Sequence, residues 1–288
     1  MPGHLAAVVV DHDAGPLLKG CVRSLLDDGA SSVVVVENGE PSSAELVLDD
    51  LSSDRVVVLR PQKNIGYGAG VNRGLALLAG EANPPEWVLV SNADLHVHPG
   101  ALQALRSALE ERPAWAMVGP RIYTGEGEVY PSTRPFPSFV DAAGHALIAP
   151  FKPENPFTRR YKPGPPEGEG VTEAGWISGS CFLARRTALE ELGGFDESYF
   201  MYAEEMDLCW RAHQAGWGIG FCGAAAVTHI QGVSTARHPY QMLWAHHRSA
   251  LRFTVRTTKG WRRAALPLAV VVLGLRMLLA SARLALQR

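Results

Sequence analysis

What most constrains this chain is the alternation, through its first half, of short β-branched apolar runs with stretches of helical periodicity. The runs are Ala6 to Val10, Val33 to Val36, Val56 to Leu59 and Trp87 to Val90, each bounded by turn residues. Their near-continuous apolar character suits strands covered on both faces. Between them Leu17 to Leu26, Gly70 to Leu78 and Ala101 to Glu110 read as helices, the pattern that builds a parallel sheet with crossover helices. With 288 residues, 47% hydrophobic and 19% charged, the chain can bury one large core, or one core with an appended unit.

The rest of the chain is less regular. From Ile122 to about Thr172 it is rich in Pro, Gly and aromatics, most densely from Lys162 to Gly170, which predicts a long excursion. Trp176 to Leu183 returns to a strand-like run, and Thr187 to Leu192 and Glu204 to Ala215 read as helices closed by Gly-containing turns. The expected division is a main domain over 1–240, in halves 1–120 and 121–240, followed by a helical segment over 241–288.

A net charge of -2 gives no basic field for a nucleic acid. Cys21, Cys181, Cys209 and Cys222 form no Cys-x-x-Cys pair, which argues against a zinc site or a disulfide framework and fits a reducing compartment. Leu5 to Val10 reads as a strand and not as a signal peptide, so the catalytic part is expected in the cytoplasm. Near the other end, the uninterrupted apolar run Ala264 to Leu275 is shorter than the roughly 20 residues of a spanning helix. With Trp261, Arg262 and Arg263 at its entry and Arg276 and Arg283 on one face, the segment reads as an interfacial amphipathic anchor; the alternative is packing on a second subunit of a homodimer. The basic run Arg248, Arg252, Arg256, Lys259, Arg262 and Arg263 is expected to meet anionic lipid.

In an open α/β sheet, ligands bind beyond the carboxyl ends of the strands. Those ends deliver Asp11-His12-Asp13, Glu37-Asn38, Asn64-Ile65-Gly66 and Asn92-Ala93-Asp94. A carboxylate at Asp94 can hold Mg²⁺ or Mn²⁺ together with donor phosphates. A second acidic cluster lies at Glu204-Glu205-Met206-Asp207, where a helix start also accounts for negative charge. His96-Val97-His98 and His246-His247 have no supporting ligand set.

Read in order, Val33 to Asn38, Lys63 to Gly74, Asn92 to Asp94, Ile177 to Cys181, Gly193 to Glu197 and Tyr202 to Arg211 resemble the family 2 glycosyltransferases of the GT-A fold, over nearly the whole chain to about Gly232. Val129-Tyr130-Pro131-Ser132, Pro150-Phe151, Asn155-Pro156-Phe157, Phe200-Met201-Tyr202 and Ala245 to Ser249 are similar to the WbbL-type rhamnosyltransferases. The resemblance implies a mostly parallel Rossmann-like sheet with helices on both faces. It implies inverting transfer of L-rhamnose from dTDP-rhamnose to N-acetylglucosaminyl-diphospho-polyprenol in cell-wall linker synthesis, at the cytoplasmic face of the membrane and with a divalent metal.

The resemblance makes 1–240 the catalytic domain, with a nucleotide-sugar-binding half (1–120) and an acceptor-binding half (121–240), and 241–288 the membrane-association segment, its basic run meeting the acceptor diphosphate. Carried over by position, it places Asp13, Glu37, Asn38, Asn64, Gly66, Asn72, Asn92, Asp94 and Arg248 around the nucleotide sugar, with Asp94 and His229 at the metal. It places Trp176, Ser178, Gly179 and Ser180 at the acceptor, and Glu205, beside Glu204, as the catalytic base. The chain departs from the family pattern at His12-Asp13, where an aromatic-Asn pair is common, and at Glu37, which replaces an Asp. Ala93 replaces a frequent Pro, and Glu205 stands where the base is usually Asp. Alternative readings are a family 2 enzyme using another donor such as a UDP-hexose, and a non-catalytic nucleotide-sugar-binding membrane scaffold.

Overall fold

In the computed structural model the described residues are 4–39, 43–51, 54–136, 138–149, 151–161, 163, 168–230 and 239–286. The four apolar runs form β1 (Leu5–Asp11), β2 (Ser32–Glu37), β3 (Val56–Leu59) and β4 (Trp87–Asn92), which pair in parallel in the order β3-β2-β1-β4. Their connections are α1 (Pro16–Asp27), α2 (Ser43–Leu48) with a 3-10 turn at Asp49–Leu51, and α3 (Tyr67–Ala79). The chain therefore builds outward from β1 to β3, then returns to the other side of β1 with β4. That reversal opens a crevice between the ends of β1 and β4.

The sheet continues with β5 (Leu95–Val97), β6 (Trp115–Thr124), β7 (Val129–Tyr130), β9 (Val171–Glu173), β11 (Cys181–Arg185) and β12 (Gly218–His229), with α4 (Ala101–Glu110) before β6. β11 runs antiparallel between β4 and β6, and β6 pairs in parallel with β12. Because β6 crosses residue 120, the two expected halves share one sheet. The run expected as one strand from Trp176 divides into β10 (Trp176–Ile177) and β11, separated by the turn Ser178-Gly179-Ser180; β10 pairs with β8 (Thr133–Arg134) in a two-stranded ribbon. The excursion also holds α5 (Phe139–Ile148) and α6 (Pro156–Tyr161). Of its densest part, residues 162 and 164–167 lie outside the described residues, as do Pro150 and Gly232.

Alternate residues of the parallel strands feed two cores, as the double coverage read from composition requires. Leu5, Ala7, Val9, Val33, Val35 and Leu89 face a cluster with α1 and α4, while Ala6, Val8, Val10, Val34, Val36 and Val88 face one that includes Val71 of α3 and Leu208. Gly74 sets the approach of α3 to β1, since a Cβ there would come within 2.5 Å of Val8 Cγ1. Leu208 lies on α8 (Glu204–Gln214), which follows α7 (Arg186–Glu191).

After β12 the chain forms α9 (Pro239–Thr257), a 3-10 segment at Gly260–Ala265 and α10 (Leu266–Leu286). At 1.5 Å per residue, the 21 residues of α10 span about 31 Å. Gly260–Ala285 is the one stretch among the described residues long and apolar enough to cross a membrane. The uninterrupted apolar run underestimated this length, because the helix continues through Arg276. The basic run before it also divides. Arg248 lies over Trp244, Arg252 over Tyr199 and Lys259 over Trp210, and Arg256 pairs with Asp196 and Asp207, so four of its six cations rest on other side chains rather than forming a free basic face.

Candidate active site

The crevice at the strand ends is a cavity of about 430 Å³. The strand ends contribute His12, Asn38, Asn64, Gly66, Asn92, Ala93 and Asp94, and β12 ends on His229. The wall away from the parallel strands comprises the turn Ser178-Gly179-Ser180 and the entry to α8, with Met201, Tyr202, Glu204 and Glu205. Strand ends and helix start, far apart in the chain, thus meet across one cleft.

At one wall His229 Nε2 lies 3.0 Å from Asp94 Oδ1 and 3.3 Å from Asn92 Nδ2. β5, which follows Asp94, pairs with β12, and the Ile230 N–H donates to the Asp94 carbonyl at 3.0 Å, so backbone pairing holds these side chains in register. A separation of 3.0 Å equals the edge of an octahedron with ligand distances of about 2.1 Å. The donor set, one carboxylate and one imidazole, suits a divalent ion that takes its other ligands from substrate and water. Among the described residues no group of three or more His, Cys, Asp or Glu forms a complete metal cage.

At the other wall α8 begins at Ala203, whose φ of 65° follows a φ of 69° at Tyr202. Two consecutive left-handed non-glycine residues are costly, by about 1–3 kcal/mol each, and they aim the first turn of α8 into the cavity. Glu204 is 4% exposed, and its Oε2 has no hydrogen-bond partner among the described residues. Burial, and the charge of Glu205, push its carboxyl well above the usual range. Burial also raises Glu205, but the N–H of Gly179 and the charge of Arg134 favour its ionised form. The surroundings thus favour the ionised form more at Glu205 than at Glu204. Gly179 permits this contact, since a Cβ there would lie 3.1 Å from the Glu205 Cβ.

Tyr67, which the sequence reading passed over, donates its hydroxyl to the Gly179 carbonyl and so ties α3 to the turn beside Glu205. Burial, with Glu204 and Glu205 nearby, drives its phenol further from ionisation. The turn is also internally braced by Ser178 Oγ and Ser180 Oγ, 2.9 Å apart. Gly66 is required where it stands: its φ is 90°, and a Cβ would fall 2.4 Å from the Phe200 carbonyl oxygen.

Other expected residues do not line the cavity. Glu37 is buried, accepting from Ala44 N at 2.7 Å and Arg60 Nε at 3.0 Å, and so shapes the β2 end. Its neighbour Asn38 braces the rim through Gly66 O at 3.0 Å and Ile65 N at 2.9 Å. Asn72 holds the Phe195 backbone through both its amide groups, each at 2.9 Å. Asp13, at φ 58°, lies against Gly39 outside the lining. Trp176 carries the Arg134 guanidinium over its ring, and Arg248 is exposed and lies over Trp244.

A second network, missed by the sequence reading, lies behind α8. Asp207, fully buried, accepts from Arg211 Nε at 2.7 Å, and its other oxygen lies 3.0 Å from Arg256 Nε as an ion pair, while Arg256 also meets Asp196. Arg211 further donates to the carbonyls of Leu192 and Gly194. The visible signal was the Gly193-Gly194-Phe195-Asp196 turn and the acidic cluster; nothing local to Arg256 marked it as their partner.

The sequence model of Glycosyl transferase family 2 matches residues 7–193. The chain is a family 2 glycosyltransferase. This glycosyltransferase is 38% identical over 270 residues to N-acetylglucosaminyl-diphospho-decaprenol L-rhamnosyltransferase of Mycobacterium tuberculosis, covering 91% of this chain and 87% of that one. It is 29% identical over 234 residues to low-salt glycan biosynthesis hexosyltransferase Agl10 of Haloferax volcanii, covering 81% and 69%. Among solved structures it is similar in fold to GalNAc-T7 with UDP, GalNAc and Mn²⁺, at a TM-score of 0.61 and 16% identity over 80% of this chain and 44% of that one. The fold of this glycosyltransferase is GT-A, with the four parallel strands and the mixed continuation described above.

Proposed function

We propose that this glycosyltransferase moves L-rhamnose from dTDP-rhamnose onto N-acetylglucosaminyl-diphospho-polyprenol, with inversion, at the cytoplasmic face of the membrane. The observation that carries the reading is one cavity that unites the Asp94–His229 pair with Glu205, in a chain 38% identical to the decaprenol rhamnosyltransferase. Inversion needs a base on one side of the anomeric carbon and charge stabilisation on the other, and these walls supply both.

Glu205 takes the proton of the attacking acceptor hydroxyl, while Gly179 and the Ser178–Ser180 turn bound the space where that hydroxyl enters. Glu204, kept neutral by burial, has an O–H to donate to a sugar hydroxyl. Asp94 and His229 would hold a divalent ion, which when bound neutralises the charge growing on the diphosphate leaving group. Asn38, Asn64 and Gly66 border the nucleotide side. α10 associates with the bilayer surface, where the acceptor's prenyl chain is embedded, and residues 1–240 form the catalytic domain.

A ligand bound by the folded state alone raises the melting temperature. With Mg²⁺ or Mn²⁺ present, dTDP-rhamnose is expected to raise it by several degrees, and Asp94→Ala to abolish the shift. A larger shift with UDP-sugars would keep the transferase and replace the donor.

The raised carboxyl of Glu205 sets a pH dependence. Because the base acts ionised, kcat/KM is expected to fall as pH drops through a value above 4.5, the ordinary carboxyl value. The stability effect has the opposite sense: a group raised by folding stabilises below its unfolded value and loses that contribution as pH rises through the folded one, so Glu204→Gln is expected to be more stable than wild type near neutral pH. An acid limb at or below 4.5 would remove Glu205 from the base role.

A further inference from the structure

α5 and α10 touch each other although they lie at opposite ends of the second half of the chain. Both present large apolar side chains to solvent. Val140 is 63% exposed, Leu147 48% and Phe151, just past α5, 80%; on α10 Leu275 is 51% and Leu278 64% exposed, and Trp261 at its approach is 85%. Such residues gathered on two adjoining helices differ from the scattered apolar exposure of an ordinary surface. Among the described residues of α10, Ala269 and Val272 are the ones fully buried, leaving its wide face outward.

The surroundings are cationic. Arg262 and Arg263 precede α10 and are exposed, as are Lys152 and Arg159 near α5, against one exposed carboxylate among the described residues of the α5–α6 insertion, Glu154, since Asp141 of α5 pairs with Arg160; no Asp or Glu follows Asp207 in the chain. A two-fold pairing of copies through this face would bring like-charged rims together, whereas anionic headgroups would neutralise them.

We infer that α5, Phe151 and α10 form one continuous lipid-binding surface that seats the enzyme on an anionic bilayer, so that the α5–α6 insertion contacts lipid together with the C-terminal helix. The inference rests on the membrane association proposed above and extends it to a segment with no spanning length of its own. Its consequence concerns the acceptor. β8 leads directly into α5, Arg134 of β8 acts on the charge of Glu205, and β8 pairs with β10, which leads into the Ser178-Gly179-Ser180 turn. Lipid contact through α5 therefore fixes the membrane next to the wall where the acceptor enters.

The test is flotation of the full chain with phosphatidylcholine vesicles, with and without phosphatidylglycerol. Wild type is expected to bind the anionic vesicles more tightly. A variant carrying Val140→Asp, Leu147→Asp and Phe151→Ser is expected to keep its melting temperature and its turnover on a short-prenyl acceptor, yet bind at least about tenfold more weakly. Leu275→Asp with Leu278→Asp should produce the same loss. Unchanged binding of the α5-side variant overturns the inference, as does a wild type indifferent to vesicles of either composition. A wild-type dimer that becomes monomeric in the α5-side variant, with vesicle binding unaltered, would assign the face to a second copy. Flotation needs neither donor nor acceptor, so a failed rhamnosyl reading leaves this result standing, and a failed surface leaves the transfer assay intact.

Discussion

Glu205→Gln is expected to lower kcat by a factor of about 10³ while leaving the metal-dependent affinity for the nucleotide sugar within about twofold of wild type. Loss of a positioned general base accounts for that magnitude. The amide keeps the size of the side chain and its place against Gly179, so the donor side at Asp94 and His229 is undisturbed. The measurement is a transfer assay with the lipid-linked acceptor, paired with calorimetric titration of the donor. Glu204→Gln provides the contrast. In the role proposed for it Glu204 is neutral, so its amide still donates a hydrogen bond, and turnover should fall far less. If the two variants exchange these effects, the base is Glu204.

Arg256→Leu is the second large effect. Asp207 is fully buried and shares its charge between Arg211 and Arg256, and Asp196 loses its closest cation as well. Asp207 keeps Arg211, and Arg256 is itself about a third exposed, so its loss is expected to cost about 3 kcal/mol, the low end for breaking a buried pair. At about 2–4 °C per kcal/mol for a chain near this size, the melting temperature should fall by about 6–12 °C. Arg256→Lys should recover only part of this, because one ammonium cannot hold two carboxylates in the fixed fork of a guanidinium. Since α8 carries Glu205, kcat should fall more than donor affinity. A melting temperature within about 1 °C of wild type would show that Arg211 alone suffices for Asp207.

These two sites were legible in the sequence to different degrees. Glu205 sits in a short acidic cluster at a helix start, and the likeness of its neighbourhood to a known family carried the role. Arg256 lay in a basic run that read as a lipid-facing patch, because spacing along a helix shows which cations share a face but not what packs on that face. Asn72 and Glu37 show the converse error. Position relative to a strand end or motif suggested ligand contact, whereas Asn72 holds the Phe195 backbone and Glu37 pairs with Arg60 inside the protein. A polar side chain beside a cleft is as readily used to hold the cleft's shape as to touch its contents, and only the coordinates separate the two.

The sequence by itself determined the β-α alternation, the two-sided burial of the parallel strands, the strand ends that carry Asn38, Asn64 and Asp94, and the placement of Glu204 and Glu205 in the first turn of a helix. Each is local: periodicity, β-branching and turn chemistry act within a few residues. The resemblance had set His229 beside Asp94, and the tertiary structure supplied the β5–β12 pairing that joins them; it alone decided that Tyr67 braces Gly179, that Arg256 neutralises Asp207, and that the Pro- and Gly-rich excursion folds α5 against α10. Those contacts join segments tens to more than a hundred residues apart, and their partners are chosen by packing and charge neutralisation in the folded chain, which no local pattern encodes.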